Sequence, residues 1–214
     1  GMMVSGKRLI HRIWVGDKPL PDTFRQYGEK IKKLNPECEV IMWSEELLKE
    51  HGIWQEDLQL TRFKYSVVSD YYRVVILNKF GGLYLDTDVE PINPFPVEYW
   101  TDYEVVLGIE SMSDGITGSA VIFSEKEARW TKEFIDIVTD RVRRYEGGKV
   151  FPPEFSGPRL IYSLLKPRLS DSRLLMLPPN YFYPIGYWEK ERLTDLSRLP
   201  EETLCVHHWA ASWH

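Results

Sequence analysis

The hydrophobic pattern changes period along the chain, and each change marks an element. Residues 7–15, KRLIHRIWV, alternate as a first strand, with Ile10 and Trp14 on one face and Leu9, Ile13 and Val15 on the other. Gly16-Asp17 signals a turn, and Pro19 and Pro21 stiffen the loop behind it. Asp22 is a candidate N-cap for a helix over 23–34, which Asn35-Pro36 ends. Residues 39–43, EVIMW, predict a second strand. Ser44, followed by two Glu, opens a short helix to Lys49, and Gly52 stops it. Residues 53–64 have a mixed pattern and predict a loop or an irregular helix. Strand–helix–strand–helix is the opening of a parallel α/β sheet. Ligands in such sheets sit at the carboxyl ends of strands.

The centre of the chain is residues 65–94, YSVVSDYYRVVILNKFGGLYLDTDVEPINP. Its helix, 66–80, is apolar at Val67, Val68, Tyr71, Val74, Val75, Leu77 and Phe80, too many positions for a surface helix. Gly81-Gly82 follows where a helix C-cap wants positive φ. Leu83-Tyr84-Leu85 predicts a short buried strand that ends in Asp86-Thr87-Asp88, and Pro91 and Pro94 keep it from continuing. Further strands are expected at 104–109, 119–123, 174–177 and 203–207. Helices are expected at 125–144 and 159–165, loops at 111–118 and 152–158, and an irregular Pro- and aromatic-rich stretch at 178–188. No internal repeat or low-complexity linker interrupts this order, so the 214 residues are expected to form a single domain, 1–214. Gly1 ahead of Met2 reads as a tag remnant.

Composition narrows the partners. A hydrophobic share of 43% and a charged share of 28% are ordinary for a globular protein. The net charge of −5 argues against nucleic acid. No apolar run is long enough for a transmembrane segment, and GMMVSGKR has no signal-peptide core. Cys38 and Cys205 form neither a disulfide framework nor a zinc motif. These features lead to an expected cytoplasmic location, with peripheral contact at the inner face of the membrane left open. Eight Trp and twelve Tyr suit stacking on nucleobases or sugar faces, although most will fill the core.

The candidate chemistry is polar and clustered. In a strand, residues two apart share a side, so Asp86 and Asp88 are expected to converge. Two close carboxylates repel unless a proton or a cation lies between them, and a hard divalent cation is the simple remedy. Left alone, the pair would be a polar strand end facing water. Asp70 and Arg73 share one face of the apolar helix and either pair with each other or look into the same cleft. At the end of the chain, HHWAASW puts His207, His208, Ser212 and Trp213 directly after a strand. Histidine beside carboxylates suits Mn²⁺ as well as Zn²⁺.

Three blocks, IHRIWVGDKPLP at 10–21, YSVVSDYYRVVILNKFGGLYLDTDV at 65–89 and HHWAASW at 207–213, resemble the DXD-containing glycosyltransferases grouped as family 32. That family includes Och-type fungal mannosyltransferases and bacterial capsule-synthesis enzymes. The chain is similar, more distantly, to the glucosyltransferase domain of clostridial toxins. The middle block, Ser-Asp-x-x-Arg and then Gly-Gly-x-Tyr-x-Asp-x-Asp, is the specific one.

The resemblance implies a GT-A type fold, a Rossmann-like mixed α/β sheet flanked by helices. It also implies Mn²⁺- or Mg²⁺-dependent, retaining transfer of a hexose from a nucleotide-diphosphate sugar. The implied acceptor is a glycan or lipid-linked glycan in cell-surface polysaccharide synthesis. Carried over by residue, Trp14 would stack near the base, and Asp70 and Arg73 would hold the sugar with Tyr84 nearby. Asp86 would contact sugar or ribose and metal-bound water, and Asp88 would ligate the metal. His208, with His207 as the alternative, would complete the metal or diphosphate position. Ser212 and Trp213 would close over the diphosphate and sugar. Ala211 stands where relatives often have Gly. Rival readings are a nucleotidyltransferase or diphosphate hydrolase on the same metal, an inactive nucleotide-sugar-binding scaffold, and a toxin-like protein glycosyltransferase.

Overall fold

The computed structural model describes residues 6–210. Its centre is a six-stranded sheet in the order β2-β1-β3-β6-β5-β7. The strands are β1 (Arg8–Ile13), β2 (Cys38–Trp43), β3 (Gly82–Leu85), β5 (Val105–Ile109), β6 (Thr117–Ser124) and β7 (Leu174–Leu177). β1 runs parallel to β2 and β3, β5 runs parallel to β7, and β6 is antiparallel to both β3 and β5. Helices cover both faces, giving the mixed α/β architecture expected from the strand–helix alternation.

One face is covered by α2 (Glu45–Glu50), α3 (Tyr65–Phe80), α5 (Arg129–Arg143) and α7 (Pro158–Leu165). The other carries α1 (Asp22–Leu34), α4 (Glu98–Asp102) and α8 (Pro179–Phe182). A one-turn helix, α6 (Pro152–Phe155), precedes α7. β3 alternates between these layers: Tyr84 points to the first, Leu83 and Leu85 to the second. α3 is buried almost all round, including Ser69, Asp70 and Arg73, as its apolar content requires. Ser44 caps α2 by accepting from Leu47 N. Residues 53–64 resolve into 3₁₀ turns at Glu56–Leu58 and Leu60–Arg62.

Two expectations change. A second, two-stranded sheet pairs β4 (Val89–Pro91) with β8 (Cys205–His207), antiparallel, with Val89 opposite His207. Pro91 does not abolish this strand, because it sits at its last position, where a missing N–H matters least. Asp86 and Asp88 therefore lie not in a strand but in the turn between β3 and β4, closed by Val89 N donating to Asp86 O at 3.1 Å. The irregular stretch after β7 also holds more structure than expected: α8 and a 3₁₀ segment over Tyr187–Thr194.

The α3–β3 link is tight. His11 Nε2 lies 2.8 Å from Gly81 O, while Trp43 Nε1 donates to His11 Nδ1 at 3.0 Å. Nδ1 must be the bare nitrogen, so Nε2 donates to the carbonyl, and burial lowers the His11 pKa to about 4. At Gly82 φ is +113°, and a Cβ would lie 2.6 Å from Leu9 O. We expect Gly82→Ala to cost about 3 kcal/mol or more in urea unfolding, since strain and a backbone clash add. Gly115→Ala, at positive φ but with nothing within 4 Å of the added atom, should cost about 1 kcal/mol. Equal losses would contradict this account of the link.

Candidate functional site

The site begins with a cation inside α3. Arg73 Nη2 lies 3.2 Å from Asp86 Oδ1 and 3.5 Å from Asp70 Oδ1, and donates to Ser69 Oγ at 2.7 Å. Nη1 donates to Ser119 O at 2.6 Å, and Nε to Ser69 O at 3.2 Å. The guanidinium carbon sits 4.5 Å from the Tyr84 ring centre, and Tyr84 OH donates to Asp86 Oδ1 at 2.8 Å. Burial opposes charge on Arg73, but Asp86, Tyr84 and Asp70 outweigh it and raise its pKa. Asp70 goes the other way from an ordinary ion-paired acid. Burial, with Asp86 adding repulsion, pushes its pKa up to about 7, against the pull of Arg73 and of Ser156 Oγ, which donates to Asp70 Oδ2 at 3.1 Å.

Beside this floor, Asp86, Asp88 and His207 each offer a ligand atom within 4.8 Å of the others. The β4–β8 ladder brings His207 there. Its Nε2 lies 3.2 Å from Asp88 Oδ1 and 3.9 Å from Asp86 Oδ2. Proximity here is not hydrogen bonding. Asp88 Oδ1 and both His207 ring nitrogens are buried and have no hydrogen-bond partner among the described residues. Burial opposes charge on both, yet each shifts the other: Asp88 is lowered by His207, and His207 is raised by Asp88. Asp88 Oδ2 is held by Ala210 N at 2.9 Å. Buried polar atoms without partners are rare, and a set of them at such separations is the donor arrangement one cation satisfies.

The site also contains a residue the sequence pattern did not single out. Arg12 is buried in β1, and its Nη2 donates to Thr87 O at 2.9 Å and Phe24 O at 2.7 Å. It thus ties the Asp-Thr-Asp turn to α1 from behind. Gly28 leaves room for it, since a Cβ there would lie 2.5 Å from Arg12 Nη1. Burial lowers the Arg12 pKa to about 10, with Tyr84 and Asp88 opposing. An Arg amid apolar strand residues was the signal available in the sequence.

The expected residues are distributed as follows. Asp70, Arg73, Tyr84, Asp86 and Asp88 are assembled together. His208 is not with the carboxylates: its Nε2 lies 2.9 Å from Glu90 Oε1 and 3.2 Å from Tyr27 OH, and its ring stacks on Tyr27. Of the two histidines left as alternatives, His207 joins the carboxylate pair. Trp14 follows β1, its Nε1 donates to Lys18 O at 2.7 Å, and its ring centre lies 6.1 Å from that of Tyr65. Ser212 and Trp213 lie outside the described residues. A cleft of about 400 Å³ opens over Asp70, Arg73, Asp86 and Ser119, with Lys64 and Phe151 at its walls. Ser66 Oγ lines it and has no hydrogen-bond partner among the described residues.

A mixed sheet with a carboxylate pair in the turn after β3 is the architecture that known proteins share with this chain. Residues 21–107 match the family described as "Glycosyltransferase sugar-binding region containing DXD motif". Over these residues the chain carries the DXD-containing sugar-binding region of the glycosyltransferases. It is similar to lactosylceramide 4-alpha-galactosyltransferase of Pan troglodytes, 30% identical over 152 residues, covering 67% of this chain and 41% of that protein. The chain thus spans about two fifths of the length of that curated relative. Among solved structures it superposes on the PaToxG glycosyltransferase with a TM-score of 0.59 at 17% identity, covering 77% of this chain and 70% of the other. A glycosyltransferase involved in the glycosylation of the major capsid of PBCV-1 gives a TM-score of 0.51 at 15% identity, covering 94% of each chain. Both show the fold.

Asp70 sets a pH dependence of stability. Its unfolded pKa is near 3.9, and its folded value is raised to about 7. Between these values the folded chain holds a proton that the unfolded chain has lost. Stability from this group therefore falls as pH rises through that window, by at most about 4 kcal/mol. In urea titrations with chelator present, Asp70→Asn should gain on the wild type between about pH 4 and pH 8. A difference that stays constant with pH would contradict the raised value.

Proposed function

We propose that this chain transfers a hexose from a nucleotide-diphosphate sugar to a hydroxyl of a glycan or lipid-linked glycan. A divalent cation, Mn²⁺ or Mg²⁺, would be held by Asp86, Asp88 and His207. The observation that carries this reading is the set of buried ligand atoms on Asp88 and His207 that have no hydrogen-bond partner among the described residues and lie with Asp86 beside the Arg73 floor. The imidazole among the donors favours Mn²⁺ over Mg²⁺. When bound, the cation neutralises charge that builds on the leaving diphosphate.

The chain's own residues do the positioning. Arg73 is fixed by Ser69 and Ser119, so it can present its charge to sugar or phosphate oxygens without reorganising. Asp70, held by Ser156, accepts or donates at sugar hydroxyls according to its protonation. Tyr84 keeps one oxygen of Asp86 occupied, leaving the other directed toward His207. Trp14 and Tyr65 offer flat faces for the base. Transfer proceeds with retention. The acceptor oxygen bonds to the anomeric carbon on the face from which the phosphate leaves, and its proton passes to a phosphate oxygen.

The lactosylceramide in the name of the galactosyltransferase relative supports a glycan or glycolipid acceptor for this chain as well. No helix among the described residues is long and apolar enough to cross a membrane. We place the activity in cell-surface glycan synthesis at the cytoplasmic side of a membrane.

Melting temperature against a panel of nucleotide sugars tests this. One donor should raise it only with Mn²⁺, by an amount matching about 2.7 kcal/mol at a hundredfold excess over Kd. Asp88→Asn should abolish the shift. The released product should be the nucleoside diphosphate; sugar 1-phosphate or nucleoside monophosphate would point to the rival hydrolase or nucleotidyltransferase. If no donor shifts the protein with any metal, the transferase reading fails.

A further inference from the structure

A second cleft, of about 230 Å³, opens at the base of the β5–β6 hairpin. Pro153 and Pro158 wall both this cleft and the one over Arg73, so the two are neighbours. Glu110 follows β5 and Thr117 opens β6. Pairing of Ile109 with Thr117, and Glu110 N donating to Ile116 O at 3.2 Å, hold the two side by side. β6 then runs on to Ser119, whose carbonyl binds Arg73, and Ala120, whose carbonyl accepts from Asp86 N at 2.8 Å. The hairpin base is thus continuous with the sugar floor.

Four features mark this cleft as built for a ligand. The Glu110 carboxylate has no hydrogen-bond or ion-pair partner among the described residues, although it lies within electrostatic reach of Asp86 and His207. Gly118 leaves the space it occupies, because a Cβ there would lie 2.5 Å from Glu110 Oε1 and from Tyr183 OH. Thr117 is 1% exposed, lines the cleft, and its Oγ1 has no hydrogen-bond partner among the described residues. Trp188 forms a wall while remaining 65% exposed, an unusual state for so large an apolar ring. Its ring folds back on Gly186, which leaves room for it, since a Cβ there would lie 2.4 Å from the ring.

The charge of the cleft selects among ligands. Glu110 and Asp114 line it, and its cation, Arg159, is already paired with Glu154 at 3.0 Å and stacked over Phe151. An anionic group would meet repulsion there. A neutral, hydroxyl-rich ring would meet two unpaired oxygens and a flat apolar face. We propose that this cleft is the acceptor subsite and takes a neutral pyranoside, with Trp188 covering one sugar face and Glu110 and Thr117 bonding its hydroxyls. The proposal rests on the transferase reading and adds the acceptor's place and chemistry to it. Glu110 acts as a positioning residue that orients the acceptor hydroxyl toward the adjoining sugar floor.

Saturation-transfer NMR separates the two readings. The probes are lactose and the methyl glycosides of glucose, galactose and mannose, added to the native chain with Mn²⁺ and UDP. At least one sugar should show transfer. Trp188→Ala and Glu110→Gln should each weaken that sugar by at least about tenfold. UDP binding in the same tubes confirms that each variant is folded with its donor site formed. If UDP binds and no sugar does, or if a bound sugar is unaffected by both variants, the acceptor subsite is overturned. Failure of UDP, and of GDP, ADP, CDP and TDP put in its place, to bind the native chain would instead overturn the donor assignment on which it rests.

Discussion

The Arg73 guanidinium is the interaction on which the rest of the site depends. It is a full charge inside a helix that is otherwise closed to water, and such a charge is tolerated only when paired and hydrogen-bonded. Removing one member from a buried ionic set generally costs about 3–5 kcal/mol, because the partner charge is stranded. Here the partners come from different elements: Asp70 and Ser69 from α3, Asp86 from the turn after β3, Ser119 from β6. One side chain therefore fixes the helix against two strands and sets the spacing of two carboxylates. Two acids facing one cation cannot both be fully compensated. Asp70 stands farther from Arg73 Nη2, at 3.5 Å against 3.2 Å for Asp86, and its burial raises its pKa.

A second guanidinium governs the turn. Arg12 binds Thr87 O from beneath, so the peptide between Asp86 and Asp88 is anchored rather than free to swing. The ladder between β4 and β8 then delivers His207 to the opposite side, and Asp88 O accepts from His208 N at 3.1 Å. The carboxylates are thus fixed by backbone and by Arg12, while Asp88 Oδ1 faces His207 Nε2 at 3.2 Å and has no hydrogen-bond partner among the described residues. Rigidity around an unsatisfied donor set is the signature of a preorganised ligand site, since no conformational cost remains when the ligand arrives.

How far the sequence reached follows from the range of the forces involved. β1, α1, β2, α2, α3 and β3 were legible because their periodicity, caps and glycine stops are local. Asp70 and Arg73 were legible as charges that an apolar helix must explain. Convergence of Asp86 and Asp88 was anticipated, but the reasoning assumed a strand, and a turn achieves it instead. The choice between His207 and His208 was not legible. It depends on the register of β4 against β8, a pairing across more than a hundred residues in which β4 is only three long. A one-residue slip would exchange the two histidines between the carboxylates and Glu90. Arg12 was hidden for a related reason: its partners, Phe24 O and Thr87 O, are backbone atoms that no side-chain pattern announces.

The charge arrangement also constrains the order of events in the cleft. Asp86, Asp88 and Glu110 all lie within electrostatic reach of His207, and the charge of Arg73 is shared between Asp70 and Asp86. A diphosphate alone would enter against a net negative field, so nucleotide and cation must stabilise each other's binding. A neutral sugar ring feels no such barrier and gains from the same carboxylates as hydrogen-bond acceptors. The proposed division of the cleft follows from this contrast. The anionic half of the chemistry belongs where His207 and a cation can answer the carboxylates. The hydroxyl-rich half belongs at the hairpin base, where the Glu110 carboxylate and Thr117 Oγ1 have no hydrogen-bond partner among the described residues.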